Sequence, residues 1–155
     1  MRIFPGQRME ESMRCEEIMK GDVSTVSRDA TVQEAARLMA EEDIGFLPVV
    51  DGSGKAVGTV TDRDIVVRLV AQGLPADSIR VHQVMTNKVV TCKRSDDLKA
   101  AQERMKQSKV SRILAVDDKG APVGVISLGD LAERQDEGAA GSTLREVKEG
   151  VSLTH

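Results

Sequence analysis

The sequence predicts a mixed α/β (α+β) fold made of two copies of one strand–helix–strand–strand–helix unit. Three observations carry this prediction. Displaced by 66 positions, the chain matches itself without a gap, with 12 identities over the 47 pairs from Met19/Met85 to Ile65/Leu131. Chance at ordinary composition gives roughly 3. The identical pairs include Met39/Met105, Asp51/Asp117, Gly58/Gly124 and Asp64/Asp130. In each copy, apolar or β-branched runs of strand length alternate with stripes at helical spacing. Turn residues also fall at matching positions in the two copies. The period exceeds the ~20–50 residues of solenoid units, so this is a duplicated domain rather than an array.

The elements follow in order. Val23-Ser24-Thr25-Val26 and Val89-Val90-Thr91-Cys92 are short and rich in β-branched residues, as strands are. Thr31-Val32-Gln33-Glu34 has the S/T-x-x-E form of a capping box, in which hydroxyl and carboxylate each bond the other's backbone N–H. Val32, Ala35, Leu38 and Met39 continue it as a helical stripe. In the second copy Asp97 takes the cap position, and Leu98, Ala101 and Met105 form the stripe. Phe46-Leu47-Pro48-Val49-Val50 and Ile113-Leu114-Ala115-Val116 are continuous apolar runs, expected of strands buried on both faces. Asp51-Gly52-Ser53-Gly54 and Asp117-Asp118-Lys119-Gly120 turn the chain into return strands at 57–61 and 123–127. A second helix is expected over about 62–72, closed by Gly73, and over about 128–134. The expected organisation is an extension 1–14, a first domain 15–73, a linker 74–80, a second domain 81–135 and a tail 136–155.

Composition narrows the function. Of 155 residues, 40% are hydrophobic and 30% charged, but there are two Phe and no Tyr or Trp. Any ligand must therefore be held without an aromatic platform. A net charge of −3 argues against coating nucleic acid or an anionic membrane. No run approaches the ~20 apolar residues of a membrane span. The first eight residues carry no apolar stretch behind their charges, so no secretory signal is read and a cytoplasmic protein is expected. Cys15 and Cys92 make no disulfide framework and are expected to be free, with Cys92 a small buried hydrophobe.

The chemistry gathers where the third strand of each copy meets the second helix. The first copy reads Gly58-Thr59-Val60-Thr61-Asp62-Arg63-Asp64 there, and the second Gly124-Val125-Ile126-Ser127-Leu128-Gly129-Asp130. A hydroxyl followed three residues later by Asp is a natural helix cap. It is also an anion site: backbone N–H groups and the hydroxyl face phosphate, and an ionised Asp accepts from a ribose diol. Both readings fit the spacing.

These paired motifs, with the Met that opens each copy and the Leu47-Pro48-Val49-Val50-Asp51 run, resemble two cystathionine-β-synthase (CBS) domains in tandem, a CBS pair or Bateman module. The resemblance runs from about Cys15 to Leu131 and implies two domains related by pseudo-twofold symmetry. It further implies binding of AMP, ADP or ATP, or else NAD or S-adenosylmethionine, in clefts between the copies. No metal is implied beyond the magnesium that accompanies ATP. The family's hydroxyl position falls on Thr61 and Ser127 and contacts phosphate; its acidic position falls on Asp64 and Asp130 and holds the ribose. Main-chain contacts to adenine fall near Ser24, Thr25 and Val26, and near Thr91 and Cys92. The run Lys109-Val110-Ser111-Arg112-Ile113 is similar to repeats of AMP-activated protein kinase γ subunits, where the residue matching Arg112 contacts phosphates. The chain departs from those repeats at Ser111, which can be His there, and from the wider family at Leu114, usually Pro.

Charge is unequal between the copies. Residues 20–46 carry a net −3 and the matching 86–112 a net +5. Arg112 begins an apolar strand, where a charge needs a partner, either a phosphate or a carboxylate. The resemblance and this asymmetry together lead to a regulatory module that senses an adenosine nucleotide and signals to an unknown partner protein. A homodimer of pairs is implied, with Met39, Ile65, Leu69 and Met105 as candidate faces. The alternative is a protein-interaction or redox-regulator module without nucleotide dependence. An enzyme is not expected, since P-loop, nucleophile-elbow and dinucleotide fingerprints are missing. His82 and His155 lack partners at metal-ligand spacing.

Overall fold

A computed structural model describes residues 13–138. Most of the expected extension and tail, 1–12 and 139–155, lie outside the described residues. The chain divides into two compact units. One gathers 22–89 with 116–123, and the other gathers 90–115 with the described parts of 1–21 and 124–155.

In the first unit, strand β1 (Val26–Ser27) leads to helix α1 (Val32–Glu42), strands β2 (Phe46–Val50) and β3 (Ala56–Thr61), and helix α2 (Asp62–Ile65). Strand β2 is central, parallel to β1 and antiparallel to β3. That position explains its apolar run, since Leu47, Pro48 and Val49 are all buried. Helix α1 begins on the expected capping box. Thr31 N–H donates to Glu34 Oε2 at 3.0 Å, and Glu34 N–H donates to Thr31 Oγ1 at 3.1 Å. Its stripe of Val32, Ala35 and Met39 is buried against the sheet core that includes Leu47, Val49 and Val60. Thr31→Ala should lower stability by about 1 kcal/mol in urea unfolding; an unchanged midpoint would show that this cap contributes nothing.

The second copy of the repeat follows the same plan with strand β4 (Thr91–Cys92), helix α4 (Leu98–Ser108), strands β5 (Arg112–Val116) and β6 (Pro122–Ser127), and helix α5 (Leu128–Gly138). Asp97 caps α4, accepting from Lys99 N–H at 3.0 Å. Leu98, Ala101 and Met105 are buried as its stripe predicts. The hairpin turns are closed alike. Asp51 Oδ1 accepts from Ser53 N–H at 2.9 Å and Ser53 Oγ at 2.7 Å, which holds its carboxyl below the usual value. Asp117 Oδ1 accepts from Lys119 and Ala121 N–H, both at 2.9 Å.

Several expectations are corrected. The first strands are shorter than four residues, because only Val26–Ser27 and Thr91–Cys92 pair in register with the neighbouring strand. The helix expected over 62–72 is α2 followed by a wider π turn at Val66–Val70, with Ala71 N–H reaching back to Val66 C=O at 2.9 Å. The β-branched run Ile65-Val66-Val67 crowds a regular helical turn, and the wider turn relieves it. The helix expected over 128–134 extends to Gly138. Met39, Leu69 and Met105 are buried in their own units, whereas Val66, Val67 and Val70 are exposed at 56%, 45% and 63%.

The units also exchange leading segments. Residues 15–21 precede the first copy in sequence but pack with the strands of the second; 81–89, including helix α3 (Val81–Val84), pack with the first. The bridges Arg14–Asp97 and Lys20–Val125 become Thr31–Arg80 and Thr59–Thr86 under the 66-residue displacement. The exchange is therefore built twice, once in each unit.

Candidate functional site

Strand β3 ends on Thr61, whose extended backbone places its hydroxyl over the first turn of α2. Asp64 N–H donates to Thr61 Oγ1 at 3.1 Å, and Thr61 N–H donates to Asp64 Oδ2 at 3.0 Å. Ser127 and Asp130 repeat this at the start of α5, with the same distances of 3.1 and 3.0 Å. Each hydroxyl–Asp pair is thus a closed capping box.

One carboxylate oxygen of each Asp remains for other partners, and each meets a cation. Asp64 Oδ1 lies 3.9 Å from Arg68 Nε. The Arg68 guanidinium is itself anchored, donating to the carbonyls of Val84 and Met85 at 3.1 and 2.9 Å. Asp130 Oδ1 lies 3.6 Å from Lys20 Nζ, on a lysine side chain that is 79% exposed. Backbone pairing delivers Lys20: its N–H donates to Val125 C=O at 2.9 Å and its C=O accepts from Val125 N–H at 3.0 Å. Sequence reasoning missed both cations. Lys20 reaches Asp130 only through the exchanged segment, which no local spacing reveals.

The glycine of each motif admits that segment. A Cβ on Gly58 would stand 2.7 Å from Thr86 O and 2.8 Å from Met85 Sδ. On Gly124 it would run into the Met19 side chain. The methionines that open each copy therefore lie against the glycines that open each motif.

Leu128 N–H donates to Ser111 C=O at 2.9 Å, so Ser111-Arg112 runs beside the Ser127 junction. Gly45-Phe46 occupies the same place in the first unit, where Asp62 N–H donates to Gly45 C=O at 3.0 Å. The Arg112 side chain is exposed, which corrects the expectation of a buried charge: it stands at the open end of β5, whose other four residues are buried. The Ser24 hydroxyl donates to Glu42 Oε1. Thr25 is exposed, and Val26 is buried and paired with Val49. The Thr91 carbonyl accepts from Arg104 Nη1 at 2.9 Å, and Arg104 also pairs with Asp96 at 3.1 Å. The Lys93 N–H, then Arg104, hold the Asp96 carboxyl below its ordinary range. Cys92 is buried. Among the described residues, no group of three or more His, Cys, Asp or Glu could hold a metal, and no helix is long and apolar enough to cross a membrane.

Two repeated sheet-and-helix units, each with a capped hydroxyl–Asp pair at a strand-to-helix junction, define a duplicated α/β module. The CBS-domain model matches residues 15–71 and 81–137, so the chain belongs to the CBS-domain family and carries two copies of the domain. It is 38% identical over 130 residues to the CBS domain-containing protein YhcV of Bacillus subtilis, covering 83% of this chain and 91% of that one. It is 36% identical over 122 residues to inosine-5'-monophosphate dehydrogenase of Methanocaldococcus jannaschii, covering 79% of this chain but only 23% of that enzyme. Among solved structures, it is similar to the CBS domain protein PAE2072 from Pyrobaculum aerophilum complexed with AMP. That match has a TM-score of 0.68 and 27% identity, and covers 77% of this chain and 90% of that one. The CBS domain pair of protein MJ0100, in complex with 5'-methylthioadenosine and S-adenosyl-L-methionine, matches with a TM-score of 0.68 and 26% identity. That match covers 78% of this chain and 98% of that domain-pair chain.

Proposed function

We propose that the chain is a cytoplasmic regulatory module, acting by binding rather than catalysis, that takes an adenosine-containing ligand at the Thr61/Asp64 and Ser127/Asp130 junctions. AMP, ADP and ATP are the first candidates, with NAD and S-adenosylmethionine next. The observation that carries this reading is the second oxygen of each capping Asp. It is left over by the capping box and, among the described residues, pairs with a cation, so a ribose diol can take it by displacing Arg68 or Lys20. Phosphates then fall to the Ser127 hydroxyl and the exposed Arg112 guanidinium, whose planar fork suits them. Thr61 plays the hydroxyl part in the first copy. Ser24, Thr25, Val26, Thr91 and Cys92 supply the backbone edge for adenine. The AMP, 5'-methylthioadenosine and S-adenosylmethionine complexes of similar proteins support the ligand class. Exposed Val66, Val67 and Val70 offer a face for a second copy or for the regulated partner.

The two sites are unequal in this reading. Arg68 is pinned by two carbonyls and is harder to displace than Lys20. The second copy also has Arg112 where the first has Phe46. The tighter phosphate-bearing ligand is therefore expected at Ser127/Asp130. Titration calorimetry with the five ligands tests this. At one hundred times Kd a bound ligand stabilises the fold by about 2.7 kcal/mol, seen as a higher melting temperature. No heat and no thermal shift with any of the five would end the nucleotide reading and leave the interaction module.

A further inference from the structure

Cys15 and Cys92 stand 77 positions apart in sequence yet lie in the same unit. Both thiols are free, Cys15 at 0% and Cys92 at 2% exposure, and they are hydrogen-bonded to each other. The backbone builds their meeting. Cys15 N–H donates to Asp96 C=O and Glu16 N–H to Arg94 C=O, both at 3.0 Å, while Leu98 N–H donates to Met13 C=O at 2.9 Å. Cys92 is fixed from the other side, where β4 pairs it with Ala115. Under the 66-residue displacement, Cys15 falls on Val81 and Cys92 on Val26, and both valines belong to the apolar core of the other unit. Packing at this place is satisfied there by two hydrocarbon side chains, so it does not explain two sulfurs here.

We propose that Cys15 and Cys92 form a reversible intramolecular disulfide, a clasp that fixes the exchanged leading segment to β4. The proposal stands apart from the nucleotide reading. The hydrogen bond from the Cys92 thiol, helped by the Arg104 guanidinium, lowers the Cys15 pKa against burial and the Asp96 and Asp97 carboxylates. Donating that bond, together with burial, raises the Cys92 pKa. The proposed step therefore gives the attack to Cys15. With hydrogen peroxide as oxidant, Cys15 Sγ attacks one peroxide oxygen, the O–O bond breaks, and the released hydroxide takes a proton to leave as water. The Cys15 sulfenic acid is then attacked by Cys92 Sγ, which gives up its proton as the sulfenic oxygen leaves as a second water. The two thiols lose two electrons and two protons, and the peroxide is reduced to two waters. Local opening of the leading segment admits the oxidant. The clasp then holds Lys20, five residues on, in register with Val125 and beside Asp130.

The test treats the folded full chain with hydrogen peroxide after removal of reductant. The intact mass should fall by two hydrogens. The tryptic peptides 15–20 and 89–93 should run as one species until dithiothreitol is added. Amide exchange across 15–20 should slow by at least about tenfold. Cys15→Val and Cys92→Val, which place in this unit the residue found in the other, should each abolish the linkage. Cysteines that stay reduced, that pass to sulfinic acid unlinked, or that link between chains overturn the proposal. A linked chain in which 15–20 exchanges as fast as in the reduced form overturns it equally.

Discussion

Gly58→Ala should destabilise the first unit by about 1–3 kcal/mol. The added Cβ would stand 2.7 Å from a backbone oxygen, that of Thr86, and 2.8 Å from Met85 Sδ. A backbone oxygen cannot turn aside as a side chain can. The leading segment 81–89, a strap over β3, must lift, and the mutual hydrogen bonds of Thr59 and Thr86, at 3.0 and 2.8 Å, would be strained with it. The two carbonyls that anchor Arg68 belong to the same strap. Gly124→Ala is expected to destabilise as well, because its Cβ would run into Met19 from Sδ back to Cβ, and the Met19 Cβ is held by its own backbone. Gly52→Ala, with nothing within 4 Å of its Cβ, is the control and should fall within about 0.5 kcal/mol of the parent. Urea unfolding of the three variants gives the order. A Gly58→Ala midpoint equal to that of Gly52→Ala would mean that the strap does not press on β3.

How much of this was legible depended on how local the determining chemistry is. The capping box at Thr31 and Glu34, the central apolar strands and the Asp51 and Asp117 turns are set by neighbours within a few residues, and they stand as read. The hydroxyl–Asp pairs were found the same way, three residues apart at a strand end. The leading segments were not. Self-comparison at 66 residues assigns Met19 to the first copy and Met85 to the second, because an internal repeat records homology and is silent about which copy packs on which segment. Lys20, the strap over Gly124 and the Cys15–Cys92 contact all depend on that long-range choice. Arg112 failed differently. The apolar run behind it implied burial, but a strand's first residue can end at the rim of the sheet while the next four are covered. The π turn at Val66–Val70 carries a signal in its β-branched residues that helical periodicity alone overlooks.

Asp130→Ala should remove ligand-induced stabilisation at the second-copy junction and, separately, lower the stability of the unliganded chain by about 1 kcal/mol through loss of the bond to Ser127 N–H. The two effects can be divided by chemistry. Asp130→Asn keeps a carbonyl oxygen for Ser127 N–H but replaces the oxygen beside Lys20 with an amide donor. Its melting temperature without ligand should stay near the parent's, while the shift with saturating AMP or ATP should disappear at that site. Asp117→Ala is the converse control. It loses the bonds from Lys119 and Ala121 N–H that close the β5–β6 turn, so it should melt lower and still respond to ligand. At one hundred times Kd the lost increment is about 2.7 kcal/mol, well above the cap's contribution, so the two losses can be told apart. An Asp130→Asn chain that responds to ligand as the parent does would remove this carboxylate from the binding site and leave it only its part in starting α5.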